Sequence, residues 1–247
     1  MEILFLGTSC AVPEAENGNS SFVVTAGENA ILFEAGSDPF RGMLQARFDP
    51  MKVNILVISH YHADHITGFP GLLSTFSCLH RTRPLTVVAP RETIDKLVSI
   101  CRLLELYGED LSFPVEYRDT YNHYGLELRL YPAHHTVPSA MVRCSYDSKS
   151  IFYSGDTDFH PDIAEHSMGC DVMIHDSTTT HEKASLLPGH SCPYEAGSSA
   201  EAAKVATLFL THLCYDTFKS PQDAVVEARQ SFRGRVILPS PMEKYFV

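Results

Sequence analysis

The chain has 247 residues, of which 44% are hydrophobic and 20% charged. That balance supports one sizeable core and excludes a disordered, collagenous or coiled-coil protein. Nineteen Lys and Arg against thirty Asp and Glu leave a formal charge of −11, which opposes unspecific capture of nucleic acid or anionic membrane unless bound cations reverse the field locally. No stretch approaches the roughly 20 apolar residues of a membrane helix. The opening Met1-Glu2-Ile3-Leu4 lacks the basic start of a secretion leader, so a cytoplasmic location is expected.

In chain order, Glu2–Leu6, Ser20–Thr25 and Ala30–Glu34 read as strands, the last two separated by the turn-like Gly27-Glu28-Asn29. Pro39–Phe48 carries Phe40, Met43, Leu44 and Phe48 at helical spacing, and Val53–Ile58 is a continuous aliphatic run that predicts a buried strand. His80-Arg81-Thr82-Arg83, the only short basic run, reads as a solvated loop. Leu85–Ala89 is strand-like, Thr93–Leu106 helical, and Phe113–Tyr117 and Leu126–Tyr131 return to strand. Short strands then follow at Met141–Ser145, Ser150–Tyr153, Asp171–Ile174, Thr207–Leu210 and Val236–Leu238, with helices at Pro161–Ser167, Pro193–Lys204 and Ser220–Ser231. No linker or repeat interrupts the pattern, so residues 1–247 are expected to form one domain, two sheets with helices outside.

Seven cysteines, an odd number with no C-x-x-C pair, favour reduced thiols over a disulfide framework or zinc ribbon. Cys101 lies in an apolar helical stretch and reads as core; Cys192, next to a histidine motif, stays open between core and site.

The chemistry concentrates directly after the Val53–Ile58 run, in Ser59-His60-Tyr61-His62-Ala63-Asp64-His65. Three imidazoles and a carboxylate in six residues repel or lack partners unless a divalent cation collects them. Alternation sends His60 and His62 one way, while Asp64 and His65 diverge, which suits two neighbouring ions. Four ligands cannot complete two sites, so other strand ends must contribute. The candidates are Ala133-His134-His135-Thr136-Val137-Pro138, Ser154-Gly155-Asp156-Thr157-Asp158 and Leu210-Thr211-His212-Leu213. His134 should point away from its neighbour His135, and His160 beside Pro161 reads as a helix start. His80, His123, His166 and His181 have no comparable setting, and Gly18, Gly27 and Gly36 mark turns rather than a phosphate loop.

His60-Tyr61-His62-Ala63-Asp64-His65, His135, Asp156 and His212 in this order, with Phe5-Leu6-Gly7-Thr8 and Ile31-Leu32-Phe33-Glu34-Ala35-Gly36 before them, resemble the metallo-β-lactamase superfamily over nearly the whole chain. Ile174-His175-Asp176-Ser177-Thr178 and Gly189-His190-Ser191 are similar to segments of its ribonuclease Z branch. The resemblance implies a four-layer αββα sandwich. It implies one ion on His60, His62 and His135, a second on Asp64, His65 and His212, and Asp156 between them. Zinc is the metal it favours, with manganese or iron also compatible, and a homodimer the usual assembly. Two such ions about 3.5–4 Å apart would activate water and stabilise developing anionic oxygens. Asp64 would orient the nucleophile and relay its proton, and His190, paired with Asp176, would serve the leaving group.

Two departures bear on substrate. Only 20 residues separate His135 from Asp156, too few for the arm that clamps transfer RNA in that branch. Asp176 also stands where the branch has glutamate, and Cys192 where it has threonine. The expected function is therefore metal-dependent hydrolysis of a small or cyclic phosphodiester, with nucleic acid disfavoured. Transfer-RNA 3′ processing, thioester or lactone hydrolysis, diiron redox chemistry and a non-catalytic module are the alternatives, the last opposed by the seven filled ligand positions.

Overall fold

A computed structural model describes residues 1–247. The first half holds β1 (Glu2–Ser9), β2 (Gly18–Asn19), β3 (Ser21–Ala26), β4 (Asn29–Phe33), α1 (Pro39–Gln45), β5 (Ile55–Val57), α2 (Ala63–Ile66), α3 (Gly68–Cys78), β6 (Leu85–Val88), α4 (Arg91–Leu103) and β7 (Val115–Arg118). The second holds β8 (Tyr121–His123), β9 (Leu126–Ala133), β10 (Ser139–Tyr146), β11 (Lys149–Tyr153), α5 (Pro161–Ser167), β12 (Val172–Asp176), α6 (Pro193–Ala203), β13 (Thr207–Thr211), α7 (Pro221–Ala228) and β14 (Arg235–Ile237). A last strand, β15 (Lys244–Phe246), returns to pair antiparallel with β1.

The strands form two sheets, ordered β15-β1-β3-β4-β5-β6-β7, with β2 beside β1, and β14-β13-β12-β11-β10-β9-β8. Both faces of each sheet are covered, so the central strands are apolar on both sides rather than alternating with polar residues. In β1 the period of two divides the work. Ile3 and Phe5 enter the core between the sheets, while Leu4 and Leu6 face an outer core with Phe69, Leu72, Leu73 and Phe76 of α3. Phe22 stacks on Phe33 at 4.6 Å, and Phe5 meets Phe209 of the opposite sheet at 5.2 Å. On the far side Met141, Phe152, Met173 and Leu208 pack against Ala196 and Ala200 of α6 and Ala224 of α7. The layers are therefore helix, sheet, sheet, helix, the αββα sandwich expected from sequence.

The expected elements are present, with five additions, β2, α2, α3, β8 and β15, and one correction. α3 opens with Gly68-Phe69-Pro70-Gly71, poor helix formers that hide it from a propensity reading, yet Phe69, Leu72, Leu73 and Phe76 bury one stripe and hold it. β15 is a short edge strand of mixed polarity. Arg81 is not solvated: it is 2% exposed, its guanidinium donates to the carbonyls of Met51, Val53, Arg83 and Pro84 and lies 4.7 Å from the Phe76 ring. Burial of a charge there is tolerated because four acceptors replace its water. The 20 residues between His135 and Asp156 hold the tight β10–β11 hairpin, turning at Asp147 with φ +57°. No helix is long and apolar enough to cross a membrane.

Candidate metal centre

The strand ends that carry candidate residues all meet at one edge of the sandwich. His60, His62, Asp64 and His65 follow β5, His135 follows β9, Asp156 follows β11 and His212 follows β13. Parallel pairing of β11, β12 and β13 aligns the C-terminal ends of three strands, so Asp156, Asp176 and His212 come side by side.

The seven fall into two adjacent sets. His62 Nδ1 lies 3.0 Å from both His60 Nε2 and His135 Nε2. His135 Nδ1 is 2.7 Å from the Gly189 carbonyl, which only accepts, so Nδ1 carries the proton and Nε2 presents a lone pair to the other two rings. In the second set His212 Nε2 is 3.2 Å from Asp64 Oδ2 and 3.3 Å from Asp156 Oδ2, and His65 Nε2 is 3.2 Å from Asp156 Oδ2. Asp156 Oδ2 is also 3.7 Å from His60 Nε2, which lets one carboxylate serve both sets.

The environment fits divalent cations. Burial, reinforced by the neighbouring His65, holds His60 neutral, and burial likewise lowers His62 and His135, leaving three imidazoles in the form that ligates. Asp64 and Asp156 stay ionised against burial, which favours the neutral form, because His212 and His65 hold them far below the usual carboxylate range. Every ion pair around Asp64, Asp156, Asp176 and Glu34 uses histidine, and none uses lysine or arginine. Four carboxylates, three buried and Asp64 half-buried, are costly to desolvate without a fixed cation. His65 Nε2 and Asp156 Oδ1 are buried without a hydrogen-bond partner, the open valences a metal ion would fill.

Two further residues support the centre and escaped the sequence reading. Glu34, fully buried with φ +62°, puts Oε2 3.3 Å from His65 Nδ1 and accepts the Ser59 N–H at 3.1 Å. Its signal was a carboxylate closing the otherwise apolar strand Ile31-Leu32-Phe33. Thr178 lies between three groups, 3.2 Å from His190 Nδ1: its hydroxyl donates to Asp176 Oδ1 at 2.6 Å, leaving its oxygen to accept from His212 Nδ1 at 2.8 Å. That fixes the tautomer of His212 so that Nε2 faces Asp64 and Asp156. His212 itself has φ +59°, a strained conformation for a non-glycine residue.

His190 and Asp176 also meet, Nδ1 to Oδ2 at 3.0 Å. Burial works against the imidazolium, but the charge and hydrogen bond of Asp176, aided by Asp156, raise the His190 pKa to about 9. Asp176 is held by the backbone N–H groups of Thr157, Thr178 and Ser191. Cys192 is buried and caps α6, its N–H donating to Glu195 Oε2 at 2.9 Å. His134 turns away, exposed, to stack on His160, and His160 stands at the N-cap of α5 before Pro161.

Fold and centre together define a binuclear metal-dependent hydrolase. The chain belongs to the β-lactamase superfamily: the profile described as "Beta-lactamase superfamily domain" matches residues 19–213. Ribonuclease Z of Methanosarcina mazei is 25% identical, aligning 98% of this chain with 97% of its own. The metallo-β-lactamase fold protein YhfI from Bacillus subtilis superposes with a TM-score of 0.84 at 21% identity, over 99% of this chain and 98% of that one. A diphosphatase of the PhnP family superposes with a TM-score of 0.76 at 19% identity, over 100% and 97%.

Proposed function

We propose that the chain hydrolyses a small phosphodiester, adding water across one P–O ester bond to give a phosphomonoester and an alcohol. The observation that carries this reading is the convergence of His60, His62, His135 and of Asp64, His65, Asp156, His212 in two adjacent sets, beside a cavity of about 410 Å³. In this reading the first set with Asp156 holds one zinc ion, and the second holds another. Two divalent ions there supply Lewis acidity toward a phosphoryl oxygen and a lowered pKa for water.

The chain's own groups do the rest. Asp64 lines the cavity and orients the attacking water, accepting its hydrogen bond and relaying its proton. Glu34 and Thr178 lock the rings of His65 and His212 from behind. Asp176 takes the Nδ1–H of His190, leaving Nε2–H to protonate the departing ester oxygen. The pairing favours the imidazolium, the form that can donate.

Small size is supported by three features. The β10–β11 hairpin leaves no arm between His135 and Asp156, the chain carries −11, and Lys183 is the one lysine or arginine lining the cavity. A polyanion needs many cationic contacts. The full-length alignment with ribonuclease Z favours the second reading, 3′ processing of transfer RNA. The test is hydrolysis of bis(p-nitrophenyl) phosphate by zinc-loaded protein beside Asp64→Ala, a chelated sample and a precursor transfer RNA. Diester hydrolysis lost in both controls, with the RNA left intact, is expected. Preferential RNA cleavage supports the second reading, and an inert protein with two ions bound refutes both.

A further inference from the structure

Asp176 and His190 pair across 3.0 Å, yet 13 residues lie between them in sequence. Those residues leave the metal centre at Ser177, run through the 3-10 segment His181–Leu186 and return at Gly189. Both ends are pinned. Thr178 bonds Asp176 and His212, the His181 N–H donates to Glu227, and Gly189 donates to Asp158 Oδ1 at 2.7 Å while its carbonyl receives His135 Nδ1–H at 2.7 Å. Gly189 has φ +88°, and a Cβ there would lie 2.7 Å from His135 Nδ1, so the returning segment is fitted closely against a candidate ligand.

What this arch presents to the cavity is unlike the rest of the wall. Lys183, Leu186 and Leu187 line it together with the candidate ligands His62, Asp64 and His212. Leu186 is 77% exposed and Leu187 38%, apolar surface left in water at the mouth of a catalytic cavity. Lys183 is exposed and takes part in none of the lysine ion pairs, which are Lys149–Asp171 and Lys244–Glu2. An unpaired ammonium beside two bare leucines matches a ligand with an apolar body and an anionic substituent.

We infer that residues 181–187 form the substrate-selecting wall, and that the substrate is a phosphodiester whose non-reacting half carries an apolar ring and a second anionic group, the ring on Leu186 and Leu187 and the anion at Lys183. This rests on the phosphodiesterase reading and narrows it. The substrate class is a nucleotide-like diester bearing an additional phosphate or carboxylate.

The test uses two matched probes, thymidine 5′-(p-nitrophenyl phosphate) with and without a 3′-phosphate, on the metal-loaded protein. A kcat/KM ratio of about two- to fivefold in favour of the 3′-phosphorylated probe is expected, the size of one solvent-exposed charge pair. Lys183→Ala should bring the ratio to about one, Lys183→Arg should keep it, and Glu182→Ala, whose side chain does not line the cavity, should leave it unchanged. Calorimetric affinities for thymidine 3′,5′-bisphosphate against thymidine 5′-monophosphate should follow the same pattern without any turnover. Equal ratios in wild type and Lys183→Ala, in both measurements, overturn the inference. Hydrolysis of neither probe with the binding preference intact overturns the phosphodiesterase reading and leaves the selecting wall standing.

Discussion

Gly36 lies against α2, which carries Asp64 and His65, and its replacement tests whether backbone contact sets the geometry of the centre. An added Cβ would lie 1.5 Å from the Asp64 carbonyl oxygen and 2.4 Å from its carbon, both backbone atoms that cannot rotate aside. Cβ atoms essentially never sit closer than 3.0 Å, so in Gly36→Ala the two segments must part by about 1.5 Å. They cannot part freely. Ala35 N–H donates to the His65 carbonyl at 2.9 Å, Gly68 N–H donates to the Ala35 carbonyl at 2.7 Å, and Thr67 Oγ1 bonds the Gly36 carbonyl. Overpacking of this kind costs about 1–3 kcal/mol of stability, and a displacement of about 1 Å at reacting groups lowers the rate roughly 10²-fold. Gly36→Ala is expected to fold, to bind less than two equivalents of zinc by elemental analysis after dialysis, and to lose about two orders of magnitude in kcat/KM on bis(p-nitrophenyl) phosphate. Gly71→Ala, where nothing lies within 4 Å of the added carbon, is the matched control. Zinc content and kcat/KM within twofold of wild type in Gly36→Ala would refute the reasoning.

Glu34→Gln removes the charge behind His65 while keeping the acceptor for Ser59, and should weaken binding of one of the two zinc ions by about 10–100-fold in a competitive chelator titration; unchanged affinity for both ions would dismiss that role. In chelated protein the His190 pKa of about 9 exceeds its unfolded value, so the Asp176 pairing stabilises fully below pH 6.5 and is lost as pH rises through 9. The urea-unfolding difference between wild type and His190→Gln should therefore shrink between pH 6 and pH 10, and a difference that grows with pH contradicts the pairing. Arg81→Ala strips the partners from four carbonyls and should cost about 3–5 kcal/mol by the same assay; a loss below 1 kcal/mol would mean water replaces the guanidinium.

The architecture was legible where the hydrophobic period and end signals agreed. Pro161 fixes the start of α5 and Pro193 that of α6, both at the first helical position where a missing N–H costs nothing. α3 was hidden because Gly68, Pro70 and Gly71 speak against a helix and only tertiary burial of Phe69 and Phe76 overrides them. Arg81 was misread for a related reason: a charged residue in a basic run is normally wet, and the four carbonyls that replace its water come from segments about 30 residues apart. The seven candidate ligands were readable as residue types after strands. Glu34 and Thr178 were not, since their roles depend on which ring each reaches, and the positive φ values of Glu34 and His212 leave no mark in the sequence.

Each set of candidate ligands draws on both halves of the chain: His60 and His62 with His135, Asp64 and His65 with Asp156 and His212. The segment His60–His65 leaves the ribosome early and carries at most two donors for either ion, while the completing donors arrive 75 to 150 residues later. In the proposed centre full affinity would appear only when the second sheet has closed on the first, and ion capture would become a proofreading step for the finished sandwich. Once captured, each ion would be a rivet through the seam, tying the opening of the two sheets to the free energy of metal release.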